Sequence, residues 1–267
     1  MTEMFENSAA ETFVHIPLLG LMREVYALPR EPSIRFPRYL TLVGGTSSPR
    51  YPPLVLMNPM ANMHLNTTID TLITLGVEDA AVGWIAKTAL ALGMSDGFHH
   101  GIGVVDDVAG GWTNRADVEM SRRFAALPKS MDHWCSTTLF ASDQHSLKSV
   151  KREVQASVIR RYWQILDGTP LSLRQMLAQE QLVARLTGTS DLVHSPCSSA
   201  TSQKIFDALE ETAYPAQISC ILGDVAAQSL GYPSRGYEKN AGLAYAANPD
   251  TPLLMPLKQA ILETIIL

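Results

Sequence analysis

The sequence predicts a helix-rich α/β fold: a small, mostly parallel sheet of three to four strands, crossover helices and a helical C-terminal half. Two observations predict it. Short apolar runs end at polar turns near Asn58, Asp106 and Ser142, with helical patterns between them, which is the order that parallel pairing requires. From Ser146 onward the apolar residues recur almost entirely at helical spacing. The expected division is a sheet-containing part over residues 1–145 and a helical part over 146–267, packed as two parts or as one large domain.

In chain order, Ser8 to Leu28 reads as a helix bent near Pro17. A proline-rich passage from Pro29 to Pro37 precedes a short strand at Tyr39–Val43 and a loop rich in Gly, Ser and Pro. Leu54–Met57 is an apolar run suited to a buried strand, ending at Asn58-Pro59, a capping residue followed by a first-turn proline. A helix to Leu75 follows, with Leu65, Ile69, Leu72 and Ile73 on one face. Gly76 stops it, and Glu78-Asp79 opens the next. Gly101–Val105 and Trp134–Ala141 are the second and third strands, and between them Asn114 can start a helix with Asp117 in its first turn. Long amphipathic helices follow through Leu147–Ile165, Leu173–Val183 and Ile218–Val225. Gly231–Pro252 reads as a long loop, and Leu253–Leu267 as a last helix.

Composition narrows the function. The chain is 46% hydrophobic and 18% charged, enough apolar material for a core and too little charge for disorder. Its net charge is −5 with no basic run, which excludes a broad nucleic-acid surface. No apolar run is long enough to span a bilayer, and the start lacks the basic and apolar stretches of a secretory signal. Cys135, Cys197 and Cys220 are odd in number and widely spaced, as reduced thiols are. Together these predict a cytoplasmic protein with a small-molecule ligand and no membrane partner. The apolar Ile265-Ile266-Leu267 suits docking into the core or a homodimer contact.

Ligands of open parallel sheets bind beyond the carboxyl ends of the strands. The residues expected there are Asn58, Asn62 and His64 after the first strand. Asp106, Asp107, Gly110, Gly111, Trp112, Thr113, Asn114 and Arg115 follow the second, and Ser142, Asp143 and His145 the third. Asp106 and Asp107 should face opposite ways, one serving as general base or as a divalent-metal ligand with His64. As turn residues they would instead accept backbone N–H bonds. The Gly-Gly turn allows close backbone approach, and Arg115 suits a carboxylate or phosphate. Neither a Walker loop nor the dinucleotide fingerprint is present.

Glu180 falls within the apolar face of its helix, as an inward acid/base that meets Arg115 or the site, or as a buried ion pair. Arg235 in the long loop is a further anion contact. Cys197 beside His194 offers a rival thiol chemistry. The leading expectation is a hydrolase or group-transfer enzyme acting on a small anionic metabolite. The alternative is a non-catalytic ligand-binding or assembly protein.

Overall fold

The computed structural model describes residues 13–44, 49–95, 97–108, 113–126, 128–188 and 197–256. Among them are eleven α-helices and one open three-stranded parallel sheet, a helix-rich α/β fold. The strands are β1 (Val14–His15), β2 (His99–Val105) and β3 (Trp134–Phe140), in that spatial order. β2 and β3 pair in parallel from His99 opposite Trp134 to Val105 opposite Phe140, and are buried along nearly their whole length.

By contact the chain forms two compact units: Met1–Arg115 with Ala126–Val158, and Ala116–Ala125 with Ile159–Leu267. The first unit holds the sheet with α1 (Leu19–Ala27), α2 (Pro32–Val43), α3 (Met63–Thr74) and α4 (Val77–Ala91). Its core is aliphatic, including Leu18, Met22, Leu54, Leu65, Ile69, Ile85 and Ile102. α5 (Arg115–Phe124) links β2 to β3, and α6 (Leu147–Asp167) follows β3. The second unit contains α7 (Leu173–Thr187), α8 (Ser199–Asp207), α9 (Tyr214–Leu222), α10 (Asp224–Ser229) and α11 (Ala241–Ala247). Its core joins Leu173, Leu177, Ile205, Ile218, Ile221 and Tyr245. A side chain at Gly242 would lie 2.9 Å from Ile221 Cα and 3.2 Å from a Leu177 methyl, so the glycine lets α11 lie close to α9 and α7.

Four expectations about the elements are corrected. Val14–His15 is an edge strand pairing with His99–His100, not part of a helix from Ser8, and Pro17 separates it from α1. The residues before 13 lie outside those described. Tyr39–Val43 continues α2: Pro32 starts the helix, and Arg35, Tyr39, Leu42 and Val43 turn inward at helical spacing despite a β-prone local sequence. Leu54–Met57 is no strand. Pro52-Pro53 lacks the amides that a ladder needs, and Pro52–Leu54 forms a 3₁₀ turn with Leu54 and Met57 buried. The long loop is interrupted by α11, entered through Asn240 at φ 57°. Residues 257–267, most of the expected last helix and the proposed dimer contact, lie outside those described.

The 3₁₀ turn sets a sharp constraint on β2. A Cβ at Gly103 would sit 2.4 Å from Pro53 O and 3.2 Å from Pro53 C. Gly103→Ala is therefore expected to cost about 2 kcal/mol or more, because backbone must move. Gly20→Ala in α1, with nothing within 4 Å, is expected to be neutral or slightly stabilising. Urea midpoints at unchanged slope measure both, and equal midpoints would refute the constraint.

Candidate functional site

Asp106, directly after β2, is only 3% exposed, so its carboxylate must be satisfied within the protein. Two side chains do this. Asn58 Nδ2 donates to Oδ2 at 3.0 Å, and His64 Nε2 donates to Oδ1 at 2.8 Å. The Asn58 amide is oriented by its other end, where Oδ1 accepts from Met60 N at 3.0 Å. An ionised carboxylate only accepts hydrogen bonds, so in a neutral ring bonded to one Nε2 carries the proton and Nδ1 the lone pair. Nδ1 makes no hydrogen bond within the described residues, and the His64 side chain is 34% exposed.

The segment presenting Asn58 is braced from behind. Tyr26 Oη donates to Asn58 O at 2.7 Å. Buried Arg35 spreads its guanidinium over the carbonyls of Tyr26, Leu28, Pro59 and Ala61, and Arg30 reaches Met60 O at 2.8 Å. Burial, and then the charge of Asp106, push the Tyr26 phenol up, so it keeps the proton that it donates. Asn58 is therefore not a helix cap, as its sequence context suggests. The helix starts four residues later, with Asn62 at the N-cap position of α3 and exposed.

Asp107 turns away from Asp106, as alternation requires. Its oxygens accept from Ser142 N at 3.0 Å, Ser142 Oγ at 2.5 Å and Arg115 at 3.1 Å. Arg115 also grips Asp143 bidentately at 2.7 and 3.0 Å, and stacks over the Phe140 ring at 4.3 Å. The result is a clasp between the ends of β2 and β3 and the start of α5. Thr113 Oγ1 donates to Asp106 O at 3.3 Å, and Asn114 directly precedes α5. Gly110, Gly111 and Trp112 lie outside the described residues. Asn58, His64, Asp106, Asp107, Thr113, Arg115 and Asp143 thus all belong to one compact unit, in two bonded groups that share the Asp106-Asp107 backbone.

The remaining expected residues have other partners. Glu180, in the second unit, is 5% exposed and forms a buried ion pair with Arg123 and Arg160, with Gln179 also donating. Burial pushes its carboxyl up, but the two guanidinium groups outweigh that and hold it at about 2, so it stays ionised rather than serving as an acid. Arg235, also in the second unit, uses its backbone N–H to reach Asp224 Oδ1 at 3.0 Å. The Asp224 carboxylate gathers the Gly236 and Tyr237 amides as well. His64 and Asp106, expected to share a divalent metal, bond directly to each other. Among the described residues no group of three or more His, Cys, Asp or Glu side chains is arranged to hold a metal ion. Cys197 donates to Ala241 O at 3.0 Å, and burial pushes its thiol up, the opposite of activation. His194 is not among the described residues.

Sequence reasoning missed the contact between His15 and His100, which lie 85 positions apart with Nδ1 atoms 2.8 Å from each other. No local pattern signals a pair at that separation. Among the described residues, no helix is long and apolar enough to cross a membrane. No protein-family model matches the chain, and neither a curated protein nor a solved structure matches it.

Proposed function

We propose that the chain is a small-molecule enzyme of the hydrolase or group-transfer type, with His64 and Asp106 as its proton-transfer pair. The observation that carries this reading is the uncommitted Nδ1 of His64, on a ring whose other nitrogen is held by a buried carboxylate. Asp106 sets the tautomer and stabilises the imidazolium that forms when Nδ1 takes a proton from water or a substrate hydroxyl. The same nitrogen then returns the proton to the leaving group.

The surroundings bear on substrate charge. Arg115 is matched by Asp107 and Asp143, so a neutral or basic small molecule needs no rearrangement there. An anionic metabolite, the class expected from the sequence, would have to displace Asp143, which is 37% exposed, from the Arg115 guanidinium; Asp107, 2% exposed, stays in place. The Asp107–Arg115–Asp143 clasp also suits the rival reading of a ligand-binding or assembly protein, in which it is purely structural.

Turnover separates the readings. A panel of neutral, cationic and anionic chromogenic esters, amides and phosphate esters is screened with the wild-type chain and His64→Gln. The expected result is hydrolysis of at least one substrate, lowered about 10²–10⁴-fold by the substitution at unchanged thermal stability. Hydrolysis that His64→Gln leaves intact would reject His64 as the base. Saturable binding without turnover across the panel would favour the rival.

A further inference from the structure

A second polar cluster crosses the sheet of the first unit. His15 Nδ1 lies 2.8 Å from His100 Nδ1, His100 Nε2 lies 2.8 Å from Thr137 Oγ1, and Thr137 Oγ1 lies 3.1 Å from Ser157 Oγ. Ser157 Oγ in turn lies 2.9 Å from Glu153 O. Both imidazole rings are buried: His100 is 0% exposed, and the His15 side chain is 3% exposed.

The direction of every bond in this chain follows from its last member. A backbone carbonyl can only accept, so Ser157 donates to Glu153 O and accepts from Thr137. Thr137 has then spent its proton and accepts from His100 Nε2–H. A neutral His100 consequently carries its lone pair on Nδ1, and His15 must donate from Nδ1–H. The chain ends in a bare lone pair on His15 Nε2. That atom is buried without a hydrogen-bond partner among the described residues, 3.9 Å from Glu78 Oε1.

Among the described residues, charged and titratable groups on three elements lie near the pair or next to it in the chain. From α4 come Glu78, which accepts the Leu18 and Leu19 amides at 2.6 and 3.2 Å, and the charge of Asp79. From β3 comes Cys135, the register partner of His100. In α1, Arg23 and Glu24 pair with Asp70 and Arg38.

We propose that the His15–His100 pair is a proton-operated latch that holds β1 on the sheet at neutral pH and releases it in acid. A first proton goes to His15 Nε2, faces Glu78 and leaves the Nδ1–H···Nδ1 bond intact. The second goes to His100 Nδ1 and sets two N–H groups against each other, so His15 must leave. The backbone of β1 connects to β2 through Val14 N to Phe98 O at 3.2 Å and Ile16 N to His100 O at 2.8 Å.

Burial lowers the His15 ring to about 4, against a smaller opposing effect of Asp79. Burial, then the charge of His15, lowers His100 to about 3. Both values lie below the ordinary 6.5 of a released ring. The closed state is thus fully favoured above pH 6.5 and loses ground as pH falls toward 4.

The test uses the full chain labelled with ¹⁵N-histidine. At pH 7 the ring spectrum is expected to show His15 protonated on Nδ1 and His100 on Nε2. Between pH 7 and 4, the exchange protection of the Ile16 amide is expected to fall ~100-fold or more. The Ala141 amide, which donates to Val105 O at 2.9 Å in the β2–β3 pairing, should keep its protection. His15→Asn retains a donor at the Nδ1 position and removes Nε2, so it should shrink the acid loss at Ile16 at least tenfold. If that variant does not fold, the wild-type spectra and exchange decide alone. The opposite tautomers, or Ile16 and Ala141 losing protection together, would overturn the latch.

Discussion

Glu180→Ala is expected to destabilise the protein by about 3–5 kcal/mol, the largest stability effect of any single substitution considered for this chain. The carboxylate receives Arg160 Nε at 2.7 Å and Arg160 Nη2 at 2.9 Å, together with the Arg123 guanidinium. Both arginines are about 5% exposed. Arg123 also meets Glu119, whereas removing Glu180 takes from Arg160 the carboxylate that receives two of its donors. The loss is thus mostly the desolvation cost of positive charge left inside, not the net worth of the pair.

Acid supplies a second reading of the same interaction. The folded carboxyl lies at about 2, below its ordinary 4.5, so its contribution is complete above pH 4.5 and is lost as pH falls toward 2. That contribution is about 3 kcal/mol at full ionisation. Urea unfolding of the wild type between pH 5 and 2.5 should show this decline, and Glu180→Ala should flatten it. A variant within about 1 kcal/mol of the wild type would refute the account of the pair.

Asp106→Asn is expected to abolish most turnover, by about 10³–10⁴-fold, while leaving the fold intact. Asn58 is held by Met60 N so that its amide N–H points at position 106. The new side chain must offer its oxygen to Asn58 and therefore its NH₂ to His64. Nε2 then becomes the acceptor, the ring proton moves to Nδ1, and the free lone pair is gone. Melting of the variant should resemble the wild type, since the substitution is isosteric and both contacts can still form. Rate loss with preserved stability is the expected signature, and loss of both together would make Asp106 a structural residue only.

Much of this architecture is legible from residue pattern alone, because long elements carry many repeats of their period. α3, α6 and α7 stand out by apolar spacing, α4 by the Gly76 stop and the acidic first turn Glu78-Asp79, and β2 and β3 by short apolar runs that close on polar turns. The failures have physical causes. β1 is two residues long, too short to display alternation. Tyr39–Val43 is β-prone by composition, but packing of Arg35, Leu42 and Val43 decides for helix. Pro52-Pro53 outweighs the apolar run that follows it.

The site is half legible in the same way. Asp106 is singled out by its place at the end of β2, and Asn58 and His64 by following an apolar run that is no strand, yet their partners are not. The contact between His64 and Asp106 spans 42 positions, and the one between Asn58 and Asp106 spans 48. Glu180 is correctly placed inside by its helical face, and only the arrival of Arg160 and Arg123 from other elements separates an ion pair from an acid.

The central claim is that Asp106 holds the proton of His64 on Nε2 and so frees Nδ1. Long-range ¹H–¹⁵N correlation of the His64 ring, in the wild type and in Asp106→Asn near neutral pH, tests it most directly. The wild type should show a protonated Nε2 with a bare Nδ1, and the variant the reverse. A wild-type ring protonated on Nδ1, or one unchanged by the substitution, would contradict the account.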